Sequence, residues 1–342
     1  MKKRYLIISI MLAFWGLMRQ ATPQLVTAAT ADAKQKVTFM IYPEIPKDNL
    51  GGNKLGYFNL KLKPNAEKTL KIKVFNPTDK PITVNISAKD AQTADNGRIN
   101  YLSDKPVARE ILTDPGSQYL RFKPSVVVPP KAQKWVKVRI KMPATAFKGK
   151  KALAINLAAM GPTGGSINNR YVYAVGITLN GIKLPHKELH HLQMPTMQTG
   201  FVDKQAALQF KVNNPDPIFL KKGQLSTKLT NQKLGFFNYK LDLKKMHIAP
   251  NSSFNANLLL GGKRLVPGRY TMIADFKSDQ YQREIKKTVQ ITKTDARYIN
   301  DHNVAYQKKR QLTIIVISVC VVLGVILIYY IRKHGSRESK ND

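Results

Sequence analysis

Hydrophobic and polar residues alternate one by one along much of the chain. In "GYFNLKLKP", Phe58, Leu60 and Leu62 alternate with Asn59, Lys61 and Lys63. In "KTLKIKVF", Leu70, Ile72 and Val74 alternate with Lys71 and Lys73, and in "KWVKVRIKMP", Val136, Val138, Ile140 and Met142 alternate with Lys137, Arg139 and Lys141. Successive side chains of a strand point to opposite faces, so this period of two predicts strands with one face buried. "KALAINLAAM" and "RYVYAVGITL" are apolar almost throughout, as strands covered on both faces would be. Asn76-Pro77, Asp114-Pro115-Gly116, Pro129-Pro130 and the Gly-rich run from Gly161 to Ser166 supply the turns. Short strands at this spacing predict a β-sandwich over residues 32–180.

The same signals return downstream in the same order. "AALQFKVNNPDP" alternates Leu208, Phe210 and Val212 and runs into Asn214-Pro215, as the earlier strand runs into Asn76-Pro77. "VVVPPKAQKWVKVRI" corresponds to "MHIAPNSSFNANLLL", each a proline corner before a strand led by an aromatic residue, Trp135 or Phe254. A glycine, Gly149 or Gly268, then opens the next strand. The economical reading is an all-β chain of two tandem immunoglobulin-like β-sandwich domains, the second over residues 181–295. Residues 296–311 are polar with scattered apolar positions and read as a juxtamembrane stalk.

Two segments break the alternation. Residues 1–31 place Lys2, Lys3 and Arg4 before an apolar run and then small residues around Ala28 to Ala31, the anatomy of a signal peptide. Residues 312–331 carry no charge over twenty positions, enough for a helix to cross about 30 Å of hydrocarbon. Tyr329, Tyr330, Arg332 and Lys333 mark an interface at its end. The expected topology is a single-pass cell-membrane protein, bulk outside, with residues 332–342 as a cytoplasmic tail.

Charge then changes the picture. Lys and Arg number 56 against 21 Asp and Glu, a net +35. The ends do not account for it, since residues 1–31 hold four basic residues and no acid, and residues 312–342 four basic and two acidic. Such a bias implies an anionic partner, and for an exported chain that means wall polymers such as teichoic acids and peptidoglycan, not nucleic acid. The single cysteine, Cys320, lies in the expected span, so the exported part forms no disulfide, which fits a Gram-positive surface better than a eukaryotic one.

On a sandwich the alternating Lys61, Lys63, Lys71, Lys73, Lys137, Arg139 and Lys141 lie outward, either merely solvated or as a basic surface toward the wall. Exposed aromatic rings stack on sugars, and the candidates are Tyr57, Tyr101, Tyr119 and Tyr171; Phe236, Phe237, Tyr239 and Tyr270 are candidates for a protein partner. Core packing is the competing role for each. No paired carboxylates or Gly-x-Ser-x-Gly elbow stand out. His186 and His190 in "HKELHH" have helical ligand spacing, but beside Pro185 they read as a solvated connector. No cofactor, metal or catalytic residue is expected. The rival classes are a wall-modifying hydrolase or transferase, and an extracytoplasmic chaperone using an open strand edge.

The order of motifs from Phe39 to Leu102 resembles the amino-terminal domain of WxL-interacting proteins. The resemblance rests on Pro43 and Pro46, Tyr57-Phe58, Pro64, Asn76, and Ala91-x-Thr93 before Asn96-Gly97 and Tyr101. Asn214-Pro215-Asp216-Pro217, "IAPNSSF" and "PGRYTM" resemble the carboxy-terminal domain of that family. The chain departs from it at Lys150 and Lys151, where relatives carry a Gly-rich stretch. The resemblance implies a non-enzymatic, membrane-anchored surface scaffold: a first domain that binds peptidoglycan, a second that binds host extracellular matrix proteins, and WxL-domain proteins as partners.

Overall fold

The computed structural model describes residues 38–161 and 169–338, with side chains to Tyr330. The expected leader over residues 1–31 and most of the Gly161 to Ser166 turn lie outside the described residues.

The first sandwich contains β1 (Met40–Glu44), β2 (Phe58–Leu60), β3 (Glu67–Phe75), β4 (Ile82–Asp90) and the small hairpin of β5 (Gln92–Thr93) and β6 (Ile99–Asn100). It continues with β7 (Leu120–Phe122), β8 (Ser125–Val128), β9 (Gln133–Lys141), β10 (Lys150–Met160) and β11 (Arg170–Asn180). Its two sheets have the orders β1-β3-β9-β7 and β2-β11-β10-β4-β8. The alternation decides which residues meet between them: Leu70, Ile72, Val74, Val136, Val138 and Ile140 pack against Leu153, Ile155, Leu157, Val175 and Ile177. The second face of β10 is apolar because the segment after β4 lies over it, with Asn156 donating to the Tyr101 carbonyl at 2.9 Å.

The second sandwich holds β12 (Met197–Val202), β13 (Gln205–Asn214), β14 (Leu220–Asn231), β15 (Asn238–Ile248), β16 (Ser252–Leu259), β17 (Gly268–Lys277) and β18 (Gln282–Ile291). Its sheets are β12-β13-β16 and β15-β14-β17-β18. The order β1-β3-β9 thus recurs as β12-β13-β16, and β8-β4-β10-β11 as β15-β14-β17-β18. The repeat extends to single side chains. Buried Asn76 donates to the carbonyls of Lys80, Val128 and Pro129 at 2.8–3.1 Å and accepts from Thr78 N. Buried Asn214 donates to those of Ile218 and Ala249 at 3.0 and 2.8 Å and accepts from Asp216 N. Each proline that follows lacks an N–H, so the amide supplies the donors that the corner would otherwise miss.

The connector between the sandwiches is held by Asp216, whose buried carboxylate accepts the backbone N–H of His190 at 2.8 Å and of His191 at 2.9 Å. Among the described residues no group of three metal-ligand side chains occurs. The β5-β6 hairpin reaches across to the second sandwich. The Thr93 and Ser252 hydroxyls lie 2.6 Å apart, Ala249 N donates to Thr93 at 3.0 Å, and His247 N donates to the Gly97 carbonyl at 2.8 Å. Gly97 has φ +75°, and a Cβ there would overlap Met246.

The first part of the segment 296–311, expected as a stalk, is docked on the second sandwich. Helix α1 (Lys293–His302), capped by Thr292, buries Ala296 and Ile299 in the second core. Three positions apart on a helix, these two share one face. Asn300 pairs with the backbone of Leu265 through both its amide atoms, at 2.8 Å each. Helix α2 (Val304–Glu338) follows directly. Its 27 residues Val304–Tyr330 are long and apolar enough to cross a membrane, about 40 Å at 1.5 Å per residue.

Asn76→Ala and Asn214→Ala each strand buried carbonyls, so each is expected to cost about 2–4 kcal/mol. Urea unfolding of the two variants checks this; a loss below about 1 kcal/mol in both would discount the corner amides as structural ties.

Candidate functional site

The register of the first sheet gathers five of the predicted cations on one outer face. On β3 and β9, Lys71 sits opposite Lys137, Lys73 opposite Trp135, Thr69 opposite Arg139 and Glu67 opposite Lys141. On the flanks, β1 sets Tyr42 against Lys73 and Glu44 against Lys71, and β7 sets Arg121 against Arg139. Rows of side chains therefore cross the sheet as Tyr42–Lys73–Trp135, Glu44–Lys71–Lys137 and Thr69–Arg139–Arg121. Tyr42 and Trp135 are 53% and 44% exposed. The Lys73 and Lys71 ammonium groups lie 5.1 and 6.0 Å from the Trp135 ring centre.

Two acids temper this face. Glu67 bonds Arg139, and Glu44 lies 3.6 Å from Lys71. Lys71 and Lys137, directly opposite with one carboxylate beside them, remain a like-charge pair, an arrangement that destabilises a sheet. The face thus sets this pair beside two half-exposed aromatic rings, Trp135 and Tyr42, with the lysine ammonium groups near the Trp135 ring. Trp135 and Tyr42 were absent from the sequence candidates, yet Trp135 shares the outward parity of Lys137 in the alternation, and that was the available signal.

The remaining candidates fall elsewhere. Lys61 and Lys63 lie beyond β2 at the lip of a mainly apolar cavity of about 480 Å³ lined by Leu62, Met142 and Phe147. Tyr57 and Tyr101 meet in a separate cleft of about 360 Å³ that also takes in Phe219, Lys221 and His247 of the second sandwich. Burial, and secondly Tyr57, raise the Tyr101 hydroxyl pKa. Tyr171 is half-buried at the margin of the first core. The Phe236 and Phe237 rings lie 4.5 Å apart, tilted by 40°, in the loop between β14 and β15, where Phe236 is 74% exposed beside exposed Leu234.

Three candidates are corrected. Tyr119, Tyr239 and Tyr270 are buried and present no ring face to a ligand. Each hydroxyl is satisfied internally: Tyr119 donates to the Asp114 carboxylate at 2.6 Å, Tyr239 to the Arg264 carbonyl at 2.7 Å and Tyr270 to the Val266 carbonyl at 2.7 Å. Burial is the first cause raising the pKa of Tyr119 and of Tyr239, which keeps these groups protonated donors.

Family comparison matches residues 39–159 to the WxL Interacting Protein, peptidoglycan binding domain, and residues 162–301 to the WxL Interacting Protein, host binding domain. The second match begins before β11, the strand that completes the first sandwich. No curated protein matches the chain. Among solved structures, the CsuC–CsuE chaperone–tip adhesion subunit complex of Acinetobacter baumannii shares 14% identity, covering 73% of this chain and 98% of that one at a TM-score of 0.32. The CupB2 chaperone of Pseudomonas aeruginosa shares 12%, covering 66% and 92% at a TM-score of 0.25. Overlap this low says nothing about function.

Lys137→Glu converts the opposed Lys71/Lys137 pair into an attractive one. It is expected to raise stability by about 0.2–1 kcal/mol in low-salt thermal unfolding; a lower midpoint would contradict the strain assigned to this face.

Proposed function

The chain belongs to the WxL-interacting protein family, and on that premise we propose that it is a non-enzymatic, membrane-anchored scaffold of the cell surface. The first sandwich holds peptidoglycan and associated anionic wall polymers through the outer face of β1-β3-β9-β7. The second takes protein partners, WxL-domain proteins and host extracellular proteins, with the exposed Phe236/Phe237 tip as its contact. Helix α2 spans the membrane with the sandwiches outside, and residues 332–342 form the cytoplasmic tail.

The observation that carries the wall-binding reading is the shared face itself. Strand register sets Lys71, Lys73 and Lys137 beside Trp135 and Tyr42, with Arg139 and Lys141 farther along the same face. A peptidoglycan strand offers sugar rings to the aromatic side chains and stem-peptide carboxylates to the cations. An exposed ion pair contributes about 0–1 kcal/mol, so no single lysine holds the polymer; many repeats engaging one face do. Salt screens the charged share, with a Debye length of about 8 Å at physiological strength, and leaves the stacking share.

Co-sedimentation with purified insoluble wall tests this. Lys71→Glu combined with Lys73→Glu is expected to cut retention about ten-fold at low salt. Trp135→Ala should remove most of the retention that survives high salt, while Phe236→Ala leaves both unchanged. Equal retention of all variants would sink the assignment of the face, and new soluble fragments released from the wall would favour the hydrolase class.

A further inference from the structure

We propose that the open edge of β11 and the cleft beside it form a docking site for an extended, acidic segment of a partner protein, which adds as a strand and lays an aromatic side chain between Tyr57 and Tyr101. This site spans both sandwiches and lies apart from the wall-binding face.

The first observation is an unpaired backbone. β2 pairs with β11 only at Ile177, Thr178 and Leu179, so among the described residues nothing hydrogen-bonds to that edge from Arg170 to Gly176. An exposed strand edge is a template for another strand. In the second sandwich the equivalent strand, β18, runs beside the connector: Arg283 donates to the His190 carbonyl at 3.1 Å and Lys287 to that of Met194 at 2.9 Å. From Arg170 to Gly176, β11 has no such companion among the described residues.

The second observation is the shape of the neighbouring cleft. Its floor is Ala174, Gly176 and Thr178, the outward-facing residues of β11. A Cβ built on Gly176 would come within 3.6 Å of the Tyr57 Cβ, so Tyr57 stands directly against this floor. Tyr101 belongs to the same cavity of about 360 Å³, and small residues beneath two aromatic rings make a slot for a flat apolar group. An added strand along the edge before Gly176 sends alternate side chains to the outer face of the sheet, beside Ala174 and toward this slot.

The third observation is charge. Lys150, Lys221 and His247 line the cleft, and no Asp or Glu does. The Lys150 ammonium rests 5.9 Å from the Phe219 ring centre and has no carboxylate partner among the ion pairs of the described residues. An acidic residue flanking the aromatic one meets these cations. A glycan would use the tyrosines and the cations but leave the backbone edge unmet, so the edge selects a peptide.

The test is selection of short random peptides by display on the full chain in detergent, followed by fluorescence anisotropy of the enriched sequences. Enriched peptides should carry an aromatic residue next to Asp or Glu. Binding should weaken by about ten-fold or more for Tyr57→Ala, for Ala174→Trp, which fills the slot from an exposed position, and for Lys150→Glu with Lys221→Glu. N-methylation of the peptide at one alternating set of residues should abolish binding, while the other set is tolerated, because one edge pairs with every second residue. These variants should sediment with wall as the unaltered chain does, whereas Trp135→Ala should bind the peptides normally; the two readings therefore fail separately. Absence of enrichment, indifference to Ala174→Trp, equal tolerance of both methylation sets, or loss of soluble muropeptide binding in Tyr57→Ala would overturn the proposal.

Discussion

Burial of every second side chain on β3 and β9 is the constraint from which the basic outer face follows. Leu70, Ile72, Val74, Val136, Val138 and Ile140 are all buried, and each such side chain contributes about 1.5–3 kcal/mol. The opposed lysines cost at most about 1 kcal/mol. The apolar register therefore wins, and the cations accept the repulsion. A slip by one residue would carry Lys71, Lys73 and Lys137 into the core, so the arrangement of the outer face is as firmly specified as the core is.

A second constraint fixes the sandwiches to one another. The contact is part polar and part apolar: Thr93 meets Ser252 and Ala249, Lys150 N donates to the Pro217 carbonyl at 2.7 Å, Gly97 lies against Met246, and Ala91, Ala152, Tyr101, Ala249 and Phe219 form a small apolar cluster. Gly97 and Gly149 both have positive φ and lie where any side chain would strike the other sandwich. Buried hydroxyls that satisfy one another leave few alternative alignments, because sliding the domains would strand them. The cleft lined by Tyr57, Tyr101 and Phe219 exists only in this alignment, and its shape is therefore a property of the joint.

The alternation made the fold legible, and the Asn-Pro corners announced the tandem repeat that the strand order and the Asn76 and Asn214 bonds display. Parity also carried more than was taken from it. Tyr239 shares the inward parity of Leu241, and Tyr270 that of Met272 and Phe276, so their burial was readable, as was the exposure of Trp135. Tyr119 lies in a turn before β7, where no period applies. Parity says inward or outward but not which strands are neighbours, so Lys61 and Lys63 could not be separated from the β3–β9 group. The β5-β6 hairpin has strands of two residues each, too short for any pattern. The docking of α1 depends on Ala296 and Ile299, the two buried positions of a largely polar segment.

The two proposed sites lie on opposite outer faces of the first sandwich. Lys71 and Trp135 face away from β10 and β11 on one sheet, and Ala174 and Gly176 face away from β3 and β9 on the other, with the core between them. Occupants of the two faces do not collide, and filling one need not distort the other, because each face is set by the same packed interior. The cleft draws its far wall from the second sandwich, and α1, bonded through Asn300 to Leu265, fixes that sandwich to the start of α2. A partner strand seated in the cleft would thus be tied through the joint to the helix, leaving the basic face free. On the two proposals, polymer adhesion and protein capture would share a single core without competing for one face.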